Sequence, residues 1–345
     1  MRAVILGVNG VTGRAIALDL AAVGWDVAGT GRDAGRFPHE LRDIGVTFVR
    51  SERRDEGQLA SVLSEGADVV IDCVCYTAED ARALMTLRRD FGSAVVLSSK
   101  AVYVDDRGRH SNSDEAPGFG GPVTEMQAVL EPDFSGDYRS REGYGANKVA
   151  AETVLQDADV PVSILRPSRI HGTGADPARE WFVVKRLLDG RRQIPLAHGG
   201  LTGNHPTAAT NLARLVRLCA ERPGDRILNA ADPGSPTARD VVLAIAAATG
   251  IQAEVVPLGD DAPPQFGASP WDTWPPFFLD TSAAAQLGFE AVGTYAATVS
   301  ATVSDLLRLA RRQQDALSAS EYFADVFGYA LDDAALAWNE QHPAG

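Results

Sequence analysis

The sequence predicts a doubly wound α/β fold: a parallel sheet covered by helices on both faces, followed by a smaller, mostly helical region. Three observations carry that prediction. Short Val- and Ile-rich runs alternate with amphipathic stretches through the first half of the chain. A glycine-rich turn follows the first of these runs directly. After Pro167, proline and glycine become frequent and strong strand patterns become rare.

Each element follows in order. Apolar runs at 3–6, 27–30, 46–49, 69–72, 94–98 and 162–166 read as strands, and helical periodicity covers 14–23, 58–64, 78–89 and 144–156. Strands apolar on both faces need cover on both faces, and strands separated by helices pair in parallel. Crossovers of this length are right-handed, which winds the sheet outward in two directions. Residues 105–143 break the rhythm with a long polar connection, and such a loop inside a domain is usually functional. Further on, 207–220 reads as a helix and 226–229 as a short strand, both folding back onto the sheet. The proline-rich stretch 257–278, with Trp271 and Trp274, reads as a rigid aromatic loop more than as core. Residues 296–340 read as helices. The expected domains are 1–170, with 205–230 packed back onto it, and a second region of 171–204 with 231–345.

The chain has 345 residues, of which 45% are hydrophobic, and a formal net charge of -14 at pH 7. That surface repels phosphate backbones and anionic lipid, which argues against nucleic acid and membranes as partners. No stretch approaches the ~20 apolar residues of a membrane span, and the apolar opening is too short for a signal peptide. Cys73, Cys75 and Cys219 make no disulfide framework; Cys73 and Cys75 read as buried thiols of an apolar run. The expectation is a soluble, reduced, cytoplasmic protein acting on a small molecule, with C-terminal helices that offer a face for a homodimer.

The turn is Gly7-Val8-Asn9-Gly10-Val11-Thr12-Gly13. A glycine at the strand end permits a tight turn, a second lets backbone approach a pyrophosphate, and a third lets the helix pack close to the strand. Free N–H groups at the helix start then face the phosphates. The spacing G-x-x-G-x-x-G fits the generic fingerprint loosely, but its place between strand and helix is what that fingerprint requires. Gly7, Asn9, Gly10, Val11, Thr12 and Gly13 are the expected cradle of a Rossmann domain. An NAD site normally has an acid at the end of the second strand. Here Gly29-Thr30-Gly31-Arg32 supplies an arginine instead, and a guanidinium suits a 2′-phosphate. Arg14 offers a second cation, and Asp33 is the counter-argument. NADP(H) is the preferred cofactor, with NAD(H) the alternative.

Tyr144-Gly145-Ala146-Asn147-Lys148 puts a phenol and an ammonium one helical turn apart on one face. A nearby ammonium favours the phenolate, which suits the phenol to general acid–base work. Ser99, just past the strand at 94–98, sits at the carboxyl edge of the sheet, where ligands bind.

On these residues the chain resembles the extended short-chain dehydrogenase/reductases, the NAD(P)-dependent epimerase/dehydratase family, closely over 1–172 and loosely beyond. The glycine loop, Leu97-Ser98-Ser99-Lys100-Ala101-Val102-Tyr103, the Tyr144 to Lys148 motif and Leu165-Arg166-Pro167-Ser168-Arg169-Ile170-His171-Gly172 are the specific parts. Asp280-Thr281-Ser282 with Leu287-Gly288-Phe289 resembles its C-terminal signature. The resemblance implies Ser99, Tyr144 and Lys148 as a catalytic triad. It also implies cofactor contacts from Asp55 to the adenine, from Val74 and Cys75 beside the ribose, and from Pro167 and Ile170 near the nicotinamide. The family's acidic position after the second strand is Gly31 here. Where its sugar-nucleotide dehydratases carry an Asp-Glu pair, this chain has Lys100 and Ala101. The diphosphate-binding arginine and the acid after it fall on Gly203-Asn204-His205-Pro206-Thr207 and Asn211.

Other polar residues point less clearly. His171, His198 and His205 lack metal-ligand spacing, and His171 reads as a structural histidine near the nicotinamide end. Arg191 and Arg192 read first as a solvated pair and second as a holder of an anion. The aromatics Trp271, Trp274, Phe277 and Phe278 suit a wall over a substrate and a loop-side cluster equally. The function expected is hydride transfer between a nicotinamide and a carbonyl or alcohol carbon, with cofactor-retaining epimerisation second.

Overall fold

Burial on both faces is what organises the strands. In β1 (Arg2–Leu6) the four residues after Arg2 are all buried, as a central parallel strand requires. The computed structural model describes residues 1–324 and 326–342, with the side chains of 313–316 outside the description. Along the chain follow α1 (Val11–Ala22), β2 (Asp26–Gly31), α2 (His39–Asp43), β3 (Thr47–Arg50), α3 (Glu56–Leu63), β4 (Val69–Asp72), α4 (Ala78–Thr86), β5 (Ala94–Leu97), α5 (Gly143–Gln156) and β6 (Val162–Pro167). The remainder runs β7 (Arg169–His171), α6 (Trp181–Leu188), β8 (Gln193–Leu196), β9 (Pro206–Ala208), α7 (Ala209–Glu221), β10 (Arg226–Ala230), α8 (Ala238–Thr249), β11 (Glu254–Pro257), α9 (Ser282–Gln286), α10 (Tyr295–Ser318) and α11 (Ala330–Gln341).

Two compact units divide the chain: residues 1–168, 209–231 and 279–292 form the first, and 169–208, 232–278 and the chain from 293 form the second. The first unit holds the main sheet, in the order β10-β6-β5-β4-β1-β2-β3. Every pairing in it is parallel. Strand order reverses between β1 and β4, so the crevice at their carboxyl ends is where a doubly wound sheet binds ligands. The expected return of the later segments occurs: α7 packs on α1, and β10 lies beside β6 with Leu228 opposite Leu165. The segment 279–292, read from sequence as part of the second region, instead joins this unit. Asn229 Nδ2 donates to the Asp280 carbonyl at 3.0 Å and to the Val123 carbonyl at 2.9 Å.

Helix ends differ from the sequence reading where local bonding decides them. The helix expected over 78–89 stops at Thr86. Its start is fixed by a capping box between Thr77 and Asp80. Residues 105–142 carry no named helix or strand, and α5 takes up the last residue of the expected connection. Asp105 organises its beginning, accepting from the backbone N–H of Arg107, Arg109 and Gly118, each at 2.9 Å, and from Arg109 Nε at 2.8 Å. Burial works against its charge, but these donors win and hold its carboxyl well below the usual range.

The second unit builds its core from α6, α8 and α10, with Trp181, Val183, Ile245 and Val299 fully buried. Two parallel strand pairs, β7 with β9 and β8 with β11, edge it. These short strands were not legible as strands. The aromatic stretch corrects the sequence reading: Trp271 and Phe277 are 2% and 1% exposed and belong to the core. Trp271 meets Phe182 edge-on at 6.5 Å.

Candidate active site

The three glycines of the loop do three different jobs. Gly7 has φ +94°, a left-handed conformation, and a Cβ there would lie 2.8 Å from Val74 Cγ1. At Gly13 a Cβ would fall 2.4 Å from the Gly7 carbonyl oxygen, so this glycine lets α1 press against the end of β1. Gly10 is the residue before α1, and no side chain caps the helix there. The first turn of α1, from Val11, also lacks an acid, so its N–H groups stay open to an anion. Thr12 is buried within that turn.

Around the loop lies a cleft of about 460 Å³, lined from the ends of β1, β2, β3 and β4. Its walls include Gly7, Asn9, Gly31, Arg32, Val74 and Tyr138. Asn9 Nδ2 donates to the Asp33 carbonyl at 2.7 Å, while its Oδ1 is buried without a partner. A Cβ on Gly31 would lie 2.7 Å from that amide nitrogen. Arg32 and Arg36 line the cleft. The Asp33 carboxylate turns to its own backbone, accepting from the Gly35 N–H at 2.8 Å. Arg14 is placed elsewhere: its guanidinium pairs with Glu40 of α2. Asp55 is placed elsewhere too, capping α3 by accepting from the Gln58 N–H at 2.9 Å.

Sequence reasoning missed the contribution of β3. Glu52, Arg53 and Arg54 all line the cleft. Arg53 is held by Asp72 through Nε at 2.9 Å and Nη2 at 2.7 Å. Its Nη1 is buried and unpartnered. The signal was available: carboxyl ends of strands deliver ligand contacts, and this rule, applied at β3, points to 51–54. Buried, unpartnered polar atoms in a cleft of this volume fit a dinucleotide.

On the opposite side of β4, Ser99 and α5 come together. A Cβ on Gly145 would lie 2.3 Å from the Ala101 carbonyl oxygen, so the helix bearing Tyr144 packs backbone to backbone on the turn that follows Ser99. Ser99 caps that turn, accepting from the Ala101 N–H at 3.1 Å. Lys148 is buried and donates to the Cys75 carbonyl at 2.6 Å and the Leu97 carbonyl at 2.9 Å. Those bonds tie α5 to the ends of β4 and β5. Tyr76 is a second residue the sequence did not announce. Lys148 Nζ sits 4.5 Å from its ring centre, and Tyr138 stacks on it at 4.9 Å. Burial, and then the neighbouring Tyr144, push the Tyr76 phenol up to about 12. Burial pushes the thiols of Cys73 and Cys75 up as well, leaving them protonated.

Pro167 ends β6 in the first unit, and Ile170 lies in β7 of the second. His171 is buried, its Nε2 2.8 Å from Asp232 Oδ2. His198 stacks on Trp274 at 4.7 Å. Arg191 pairs with Asp333, rather than standing solvated beside Arg192. Among the described residues no cluster of His, Cys, Asp or Glu suits a metal ion, and no helix is long and apolar enough to cross a membrane.

The model of the NAD dependent epimerase/dehydratase family matches residues 3–232. Solved structures share the fold. The dTDP-glucose 4,6-dehydratase of Bacillus anthracis, in complex with NAD, has 15% identity and a TM-score of 0.67, with 90% of this chain and 98% of that one covered. The UDP-glucose 4-epimerase of Thermotoga maritima gives 14% and 0.65 over 90% and 99%. That of Thermus thermophilus, with NAD, gives 19% and 0.64 over 89% and 99%. At such identities the likeness shows the fold alone. No curated protein matches the chain.

Proposed function

The chain belongs to the NAD dependent epimerase/dehydratase family, a family of NAD(P)-dependent enzymes of the short-chain dehydrogenase/reductase type, and on that premise we propose that it is an NADP(H)-dependent oxidoreductase acting on a carbonyl or alcohol carbon of a small molecule. The observation that supports this reading is the backbone contact between Gly145 and Ala101, which brings the helix carrying Tyr144 and Lys148 against the turn that follows Ser99.

The chain's residues divide the work. Ser99 orients the substrate oxygen by hydrogen bonding. Tyr144 gives that oxygen its proton in reduction and takes it back in oxidation. Lys148 carries three N–H donors; two go to the Cys75 and Leu97 carbonyls, and the third is kept for a ribose hydroxyl. When bound, the nicotinamide supplies or accepts the hydride. The open N–H groups at the start of α1 take the pyrophosphate. Glu52 and Val74, which line the cleft, would hold the adenosine in place of the Asp55 suggested by the family resemblance.

The preference for NADP(H) rests on Gly31, Arg32 and Arg36. Gly31 ends β2 where an NAD site carries its acid, the Asp33 carboxylate that follows accepts from the Gly35 N–H, and Arg32 and Arg36 border the cleft there. Dehydratase chemistry of the Asp-Glu type finds no support, because Lys100 and Ala101 occupy those places.

The test is oxidation of NADPH and of NADH against a panel of carbonyl compounds, with Tyr144→Phe as control. The reading requires turnover with NADPH and loss of at least a thousandfold in Tyr144→Phe, with cofactor affinity kept. Full activity in Tyr144→Phe refutes the site. Cofactor that survives purification, with no net NADPH consumption on turnover, identifies an epimerase instead.

A further inference from the structure

In the second unit two guanidiniums share one tyrosine, Tyr322, and among the described residues no carboxylate pairs with either. Arg169 lies in β7 and Arg179 just before α6, and both are partly buried. Arg169 hydrogen-bonds to the Tyr322 side chain. Arg179 Cζ sits 5.6 Å from the centre of the same ring. The Arg179 Nε is buried and has no hydrogen-bond partner. Among the described residues neither arginine makes an ion pair. The adjacent acid, Glu180, is engaged by the Tyr295 hydroxyl at 3.3 Å. Burial, and then the charge of Arg179, bring the Arg169 guanidinium down to about 10.

Such an arrangement is costly as it stands. Taking a guanidinium out of water is unfavourable, and a second one beside it adds repulsion. Buried charges are ordinarily paired, and this chain follows that rule elsewhere. Arg53 meets Asp72, Arg166 meets Glu152, and Arg186 meets Asp332. The Arg169–Arg179 pair departs from it. What balances two guanidinium forks and a phenol is an oxyanion, because its oxygens match the fork geometry.

We propose that Arg169, Arg179 and Tyr322 form a receptor for an oxyanion, a carboxylate or phosphoryl group. The receptor stands on the geometry of the second unit and does not depend on the oxidoreductase reading.

The experiment is thermal unfolding of the full chain at constant ionic strength, with sodium chloride exchanged stepwise for inorganic phosphate or for acetate. A saturable rise in Tm beyond the chloride control is expected with one of the two. The stronger of them names the group: phosphate a phosphoryl, acetate a carboxylate. In Arg179→Gln the apparent Kd is expected to rise at least tenfold. Without added anion, that variant is expected to unfold at the same temperature or higher, because repulsion is relieved; a merely structural arginine would lower it. If neither anion exceeds chloride, or if Arg179→Gln and Arg169→Gln both respond as the parent does, the receptor is refuted. Should Arg179→Gln fail to fold, Arg179→Lys is titrated in its place. It keeps the charge and loses the fork, and an undiminished response there also refutes the receptor. The titration uses neither cofactor nor turnover, so its failure and the failure of the oxidoreductase reading are separate results.

Discussion

The Glu152 carboxylate holds the Arg166 guanidinium by two hydrogen bonds, at 3.0 and 2.5 Å, with both side chains less than 5% exposed. Glu152 lies one turn beyond Lys148 on α5, and Arg166 lies on β6, so the pair fixes the helix that carries Tyr144. Ser98 donates to the same carboxylate, and Arg166 reaches the Tyr103 hydroxyl at 3.1 Å. Removing one partner strands a buried charge. Glu152→Gln is therefore expected to cost about 3–5 kcal/mol in unfolding free energy, read by urea denaturation. An unchanged midpoint would mean that the pair contributes nothing net.

Gly145→Ala tests the contact between α5 and the turn after Ser99. The new Cβ would lie 2.3 Å from the Ala101 oxygen and 2.7 Å from Leu130 Cδ1, so the helix must shift. Overpacking of this kind costs about 1–3 kcal/mol. The expected result is kcat reduced on the order of a hundredfold, a modest loss of Tm, and cofactor affinity nearly unchanged. Equal kcat in the two proteins would remove the basis for reading Ser99 and Tyr144 as partners.

Arg32→Gln with Arg36→Gln tests the cofactor preference. Hydrogen bonds to a charged group contribute about 1.5–3 kcal/mol. The double variant should therefore bind NADPH on the order of ten- to a hundredfold more weakly, with NADH affinity unchanged. Equal losses for the two cofactors would assign these arginines to the pyrophosphate or to the surface.

Asp105 gives the connection 105–143 a pH dependence. Its carboxyl is held below the ordinary value in the folded chain, so its contribution is complete above the unfolded value near pH ~4. It is lost as pH falls through that window toward the lower, folded one. Amide exchange at Arg107, Arg109 and Gly118 should accelerate on acidification below about pH 4. Asp105→Asn should show fast exchange at neutral pH and little further change. The backbone donors all belong to the connection itself, so the effect is local rather than global.

Much of the first unit was legible because its signals are local. Burial on both faces marked β1, β4, β5 and β6, and the position of Gly7 between strand and helix marked the cradle. What escaped was tertiary. Arg14 is one residue beyond the cradle, yet Glu40 on α2 claims it, and no spacing rule announces that pair. Asp55 caps α3 because that helix begins at Glu56, two residues before its apolar periodicity becomes visible. Trp271 looked like loop because prolines surround it, but its burial comes from Phe182 and the helices of the second unit. The Arg169–Arg179 pair was invisible for the same reason, since a crowded charge shows only once the chain is folded around it.

The first unit takes its outer strand from far along the chain, and this bears on how the protein is made. A nascent chain holds β1 to β6 long before residues 226–230 exist. Until then the free side of β6 is an open row of backbone donors and acceptors. A product ended before residue 226 keeps that edge, so self-association rather than a stable half-protein is its expected fate. Completion of the sheet is thus deferred until the intervening part of the second unit, 169–208, has been synthesised.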